Sequence, residues 1–358
     1  MGLVLSLTIL NAMFVGKNTD FEELALNQET VSVYPGHDGI TIHCKGASDS
    51  AQCISGFKQS KLSHAALWLG NSQLHAVNQY VTGQKTASYI LHGKLRSSDT
   101  YLTTFSQPNS SLSEQFILYE YLSSQANFDY LILPLVFDDL REAELRQDII
   151  SALSLIPQTS LLFNTKLGRA LIDRYSPATD QTEVTQTNLL LRDKSEEALN
   201  HWLSNNTSIW NTRSEARGSI MTFLYRLRNT AFGITASTKR PMIKTRYEQN
   251  ITALKEILSS AEQKGTKVIM YIAPIRNDVP LPYIESEYLT FKNQMSNIST
   301  LYSNVLYVTF EDIITASLWG QKDSTVVGGK KEIDFMHFQA AGHMILAEQL
   351  FSVIKSTH

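Results

Sequence analysis

The sequence predicts an α/β protein: a three-layer α/β/α sandwich on a five-stranded parallel sheet, with a helical insertion. Three observations carry this expectation. Five short runs rich in Val, Ile, Leu, Tyr and Phe are almost continuously apolar, at 65–70, 101–105, 130–137, 267–274 and 305–310. Helices cover a parallel sheet on both faces, so its strands lose the in–out alternation of a half-exposed sheet. Helical spacing fills the gaps between the runs, and alternation of this kind builds a doubly wound sheet. The length, 358 residues with 43% hydrophobic content, suffices for one large core with an elaborate insertion.

The chain opens MGLVLSLTILNAMFVGKNTD, and residues 3–15 are mostly apolar up to Lys17. This run is shorter than the about 20 residues that span a bilayer as a helix. It also lacks the basic start of an ordinary secretory signal. A signal or membrane-anchor segment over 1–20 is the favoured expectation, and a buried first element is the alternative. Residues 21–62 form a lead that contains the two cysteines, Cys44 and Cys53. The CxxC spacing is absent and no nearby histidine pair completes a zinc site, so no metal is expected. Nine residues apart around Gly46 and a polar loop, the pair is expected to close a small disulfide, which would persist in an exported chain. Two free buried thiols are the alternative.

The main domain is expected over 63–358. AALWLG supplies its first strand and breaks at Gly70. YLTTF is the second, followed by a helix from Leu112 to Leu122, and YLILPLVF is the third. Ile251, Leu254, Leu258 and Ala261 keep a helical spacing ahead of the fourth strand, KVIMYIAP, and Gly265 ends that helix. VLYVTF is the fifth strand, and a helix from Ala340 to Ile354 closes the chain.

Between the third and fourth strands the chain far exceeds the about a dozen residues that a crossover needs. A helical cap insertion is therefore expected over about 142–246. Within it, residues 213–246 carry eight basic residues against one acid, Glu215, around the run SIMTFLYRLRNTAFGI. A solvated basic helix explains such a stretch. A surface that touches anionic lipid, an anionic glycan or a membrane partner explains it more sharply. The net charge of −3 over the whole chain argues against a nucleic-acid binder.

In open α/β sheets ligands bind beyond the carboxyl ends of the strands. Ser72, in LGNSQLHAVNQ, lies just past the carboxyl end of the first strand. A serine there is either a helix N-cap or a nucleophile raised on a tight strand-to-helix turn. A nucleophilic serine needs an imidazole base and a carboxylate that orients it. Among nine histidines, His75 lies too close in sequence, and His343 falls inside the last helix as a packing or surface residue. His337 precedes that helix, and Asp334 stands three residues before it. In a turn this spacing brings the carboxylate to Nδ1 and leaves Nε2 pointing outward. The alternative makes Asp334 a turn residue and His337 an ordinary helix-start residue.

The order of these blocks resembles the SGNH, or GDSL-type, hydrolase superfamily over about residues 63–358. Gly70-Asn71-Ser72-Gln73 matches its first block, with Asn71 where many members have Asp. Asp334 and His337 match its last. The cell-envelope branch is the most similar, with its D-alanine-transfer proteins of teichoic acid modification and SGNH partners of polysaccharide O-acetyltransferases. The resemblance implies the flavodoxin-like form of the sandwich, a Ser-His-Asp triad and acyl-ester chemistry without a cofactor. Two blocks depart from the pattern. The second lacks its oxyanion-hole glycine and reads FSQPNSSLSE. The third reads VFDDLRE, with Asp138 where an asparagine is expected, and an ionised carboxylate donates no hydrogen bond. Asn109 is the candidate side-chain donor beside the Ser72 backbone N–H, with a loop or N-cap role as its alternative. Asn71, Gln73, Asp138 and Arg141 are candidates for the substrate pocket. Asp138, Asp139 and Arg141 form either a charged cluster there or a simple surface pair.

Two functions follow. One is an exported serine esterase or O-acyltransferase acting on an acylated cell-envelope glycan or a small ester, in company with a membrane-bound O-acyltransferase. The other is a non-catalytic SGNH-like module that binds glycan or docks on such an acyltransferase.

Overall fold

A computed structural model describes residues 29–175 and 213–357 of the protein. The expected segment over 1–20 and residues 176–212 of the expected insertion lie outside them. The chain divides into two compact units. The larger comprises Glu29–Ser176, Ala236–Lys322 and Ile333–His358, and the smaller Met1–Gln28, Pro177–Thr235 and Asp323–Glu332.

The larger unit contains a parallel sheet of β1 (His43–Cys44), β2 (His64–Gly70), β3 (Thr100–Ser106), β4 (Tyr130–Leu135), β5 (Lys267–Ile272) and β6 (Val305–Thr309). Their order is β6-β5-β4-β2-β3-β1. The five expected strands are β2 to β6. The sheet has six, because β1 adds itself to β3 with Cys44 opposite Phe105. A two-residue strand carries no periodicity by which it could be anticipated. From β2 the chain crosses to β3 on one side and then returns to β4 on the other. That reversal is the topological switch point, where such sheets place their ligands.

Successive residues of β2 feed opposite layers, as a pleated strand requires. Leu67 and Leu69 pack in one core with Phe116, Leu254, Leu258 and Phe291. Those residues lie on α3 (Leu112–Ser123), α4 (Lys244–Gln263) and α5 (Glu285–Ser299), which follow α1 (Ser50–Ser60) and α2 (Ala87–Arg96) in the chain. Ala66 and Trp68 pack in the other core with Leu91 and Leu95 of α2 and with Leu346 and Leu350 of α6 (Ala340–Lys355). Trp68 is completely buried; truncating such a side chain to alanine costs about 3–5 kcal/mol. Gly265 ends α4 in the left-handed region, with φ 71°.

Cys44 and Cys53 form a disulfide with their Cα atoms 6.3 Å apart. Cys53 stands in α1 rather than in the polar loop expected from composition, so the bond ties the edge strand to a helix. Two further strands, β7 (Trp319–Lys322) and β8 (Glu332–Phe338), pair as a separate two-stranded sheet. The Asp334–His337 motif therefore lies on a strand, where a turn was expected.

In the smaller unit a helix spans Arg213–Phe232. Asn229 is buried and its Nδ2 donates to the Thr325 carbonyl at 3.1 Å, while the Val327 N–H donates to Thr230 Oγ1 at 2.9 Å. Arg226 pairs with Asp323 at 3.6 Å. Phe223, Leu224, Tyr225, Leu227 and Phe232 are exposed. No helix among the described residues is long and apolar enough to cross a membrane.

Candidate active site

At the end of β2 a Cβ on Gly70 would lie 2.5 Å from Leu74 Cδ1 and 3.1 Å from Pro134 Cγ, so a side chain there would force Leu74 to move. The chain then makes one 3₁₀ turn over Ser72–Leu74. Asn71 caps this turn: its Oδ1 accepts the Gln73 N–H at 3.0 Å. The cap is therefore not Ser72, whose hydroxyl faces His337.

Ser72 Oγ lies 2.9 Å from His337 Nε2, and His337 Nδ1 lies 2.9 Å from Asp334 Oδ2. Asp334 Oδ1 accepts the backbone N–H groups of Met336 at 2.9 Å and His337 at 3.0 Å. Asn78 Nδ2 donates to Asp334 Oδ2 at 3.2 Å. Burial alone would raise the Asp334 carboxyl. The charge and hydrogen bond of His337 and the two backbone donors outweigh it and pull the group down to about 2. An ionised Asp334 can only accept, so Nδ1 of the ring carries the proton. In the neutral ring Nε2 then presents its lone pair, and Ser72 donates its O–H to it.

The other predicted residues fall in several places. Asn71 and Gln73 are buried and engaged within the turn. Asn71 Nδ2 donates to Asp139 at 2.7 Å. Gln73 Nε2 donates to the carbonyls of Pro274 at 2.8 Å and Met336 at 2.9 Å, which ties the serine turn to the strand of His337. The expected cluster of Asp138, Asp139 and Arg141 divides. Asp139 sits under the Ser72 turn, where burial raises its carboxyl well above the ordinary range. Asp138 pairs with Arg141 at 3.4 Å and with Arg240 at 2.6 Å, and accepts the Tyr283 hydroxyl at 2.9 Å. Arg240 in turn stacks over the Tyr283 ring. Asn109 is exposed at the loop after β3, in the left-handed region with φ 50°. It does not cap α3; Ser111 does, in a capping box with Glu114.

Several residues of the site carry no motif. Asn78 reaches the Asp334 carboxylate across 256 positions of sequence. Arg276 joins the loop after β5 to β7 and β8, donating its N–H to Phe335 and Nη1 to Gly320, each at 3.1 Å. Behind the turn, Ser106 Oγ bridges His75 Nδ1 at 2.7 Å and His43 Nε2 at 2.6 Å. The His75 ring stacks on Tyr34 with centroids 4.8 Å apart. His343 is wholly buried; it accepts the Ala87 N–H at Nδ1 and donates from Nε2 to the Ala76 carbonyl, each at 3.2 Å. One signal was available: LHAVN begins two residues after the serine, so a buried polar residue in it stays near the serine turn.

No family model matches the chain. No curated protein matches its sequence. Among solved structures it is similar to a family two carbohydrate esterase from Clostridium thermocellum in complex with cellohexaose, with 10% identity and a TM-score of 0.37 over 83% of this chain. The match spans 65% of that esterase, less than two thirds of its length. It is also similar to Axe2, an acetylxylan esterase from Geobacillus stearothermophilus, with 10% identity and a TM-score of 0.39 over 81% of this chain and 93% of that one.

Proposed function

We propose that the protein is an SGNH-type serine esterase or O-acyltransferase that works through an acyl-enzyme at Ser72. The continuous Ser72–His337–Asp334 chain, with both links at 2.9 Å, carries this reading. His337 Nε2 takes the hydroxyl proton as Ser72 Oγ attacks the ester carbonyl. Asp334 stays ionised and stabilises the imidazolium that forms. The Ser72 backbone N–H and Asn109 are the proposed donors to the tetrahedral oxyanion. As the ester C–O bond breaks, His337 returns the proton to the leaving alkoxide. A water or a sugar hydroxyl then gives its proton to His337 and attacks the acyl-serine carbonyl; the acyl–Oγ bond breaks, His337 returns the proton to Ser72 Oγ, and hydrolysis or transfer is complete.

The proposed substrate is an acyl ester of a cell-envelope glycan, and the proposed setting is extracytoplasmic. A membrane-bound O-acyltransferase is the proposed partner. The exposed apolar and basic helix of the smaller unit supports contact with a membrane surface. One observation favours the second reading, a non-catalytic glycan-binding or docking module. Asp138 stands where the superfamily resemblance expects an oxyanion-hole asparagine, and two arginines engage it. Labelling of the folded protein with a fluorophosphonate decides between them. An adduct on Ser72 that is absent from Ser72→Ala supports the enzyme, and no adduct on the wild type supports the module.

A further inference from the structure

We infer that Asn78 is a positioning residue for the triad carboxylate, an inference that rests on the proposed triad. Asn78 is completely buried. Its Nδ2 lies 3.1 Å from the Gln321 carbonyl and 3.2 Å from Asp334 Oδ2. Both neighbours are acceptors, so the group between them has to be the NH₂ end of the amide, and this fixes the side chain's orientation. The Asn78 N–H donates to the Phe338 carbonyl at 3.0 Å, pinning the residue beside the strand that carries the base. Gly320 makes the space: a Cβ there would fall 2.0 Å from Asn78 Cγ and Oδ1.

With Asn78 in place, Asp334 receives two donors on each oxygen. The carboxylate cannot rotate without losing one of them. Asn78 keeps Asp334 ionised and aimed at Nδ1 while His337 becomes cationic, and it draws off part of the charge that the imidazole feels. The nucleophile and this support lie six residues apart, so one short segment holds both ends of the triad.

Asn78→Asp tests the inference, with kcat/KM for p-nitrophenyl acetate measured across pH. Near the bottom of the range the introduced carboxyl shares a proton with Asp334 and still donates. As that proton leaves, two carboxylates face one another and the support is lost. The wild type should rise with pH to a plateau, whereas Asn78→Asp should add a descending limb. Asn78→Ser, which keeps a shorter donor, is the second variant and should lower kcat about 10- to 100-fold with KM nearly constant, the size expected of a weakened hydrogen bond to a charged group. Thermal unfolding verifies the fold of each variant. If the wild type reacts with fluorophosphonate and both variants show scaled copies of its pH profile at unchanged kcat, Asn78 has no such role. If the wild type itself does not react, the triad reading falls and this inference with it.

Discussion

Asn71 holds the turn that frees Ser72. Its side-chain oxygen accepts the Gln73 N–H at 3.0 Å, and its amide donates to the buried Asp139 at 2.7 Å. Capping and nucleophilic attack were the two roles open to Ser72, and the structure gives the first to its neighbour.

The first prediction separates these roles by mutation. Ser72→Ala should abolish esterase activity with little change in Tm. His337→Ala should cost about as much, because members of a triad act as a unit. Asp334→Ala should cost somewhat less, since the carboxylate makes no bond to substrate. Asn71→Ala should instead lower stability by about 1 kcal/mol for the lost cap, with a further loss from the unpaired Asp139. Activity of Ser72→Ala at the wild-type level, from pH 5 to 9, would refute the enzyme.

A second prediction concerns the oxyanion hole. Asn109 occupies a left-handed backbone position with φ 50°, where alanine would add strain of about 1–2 kcal/mol. Asn109→Gly removes the amide without that strain. If Asn109 donates to the oxyanion, kcat should fall by about 10²–10³ while KM and Tm stay nearly constant. An unchanged kcat makes Asn109 a turn residue only.

The Ser72, Asp334 and His337 positions were legible and the residues packed around them were not, for a physical reason. Ser72 and the Asp334–His337 pair each lie at a place that local spacing marks: a strand end and the approach to a helix. Gln73 and Asn78 contact β8 only after the chain has folded, and nothing local marks their partners. Asp139 stands beside Asp138, and that adjacency in sequence hides that the two side chains serve different neighbours. The strands β2 to β5 were legible because burial on both faces leaves an apolar run; β6, a partly exposed edge strand, was legible from its Val, Leu and Tyr content. The stripe Tyr288, Phe291, Met295 and Ile298 of α5 has helical spacing and all four are buried, so that helix was readable in principle. The pairing of β7 with β8 leaves no such stripe.

The third prediction is that the disulfide survives in protein taken from its native compartment. The loop between Cys44 and Cys53 spans nine positions, and closing it contributes about 2–3 kcal/mol by the chain-entropy estimate. Thiol counting on unreduced, denatured protein should find no free thiol, and reduction should lower Tm. Two free thiols would contradict the bond.

The last prediction concerns acid stability, and it follows from histidines outside the proposed triad. Burial pushes His43 down to about 3, with the His343 charge adding to it. Burial likewise pushes His343 and His92 each down to about 4, and lowers His75 well below the ordinary range. Each is neutral in the fold, whereas an unfolded histidine takes up a proton near pH 6.5. Above that pH neither state is protonated and these residues leave stability independent of pH. Below it the unfolded chain binds protons that the folded chain refuses, so stability falls as pH falls. The loss should continue down to about pH 3–4, where the folded histidines finally accept protons. Tm should therefore be level between pH 7 and 8 and drop steeply between about pH 6 and 4. His43→Gln, which can keep contacts with Ser88 and Ser106 but cannot titrate, should make that drop shallower. Calorimetry across this range measures both curves. A Tm that stays level from pH 7 to 4.5 in the wild type would show that these rings are not held neutral by burial.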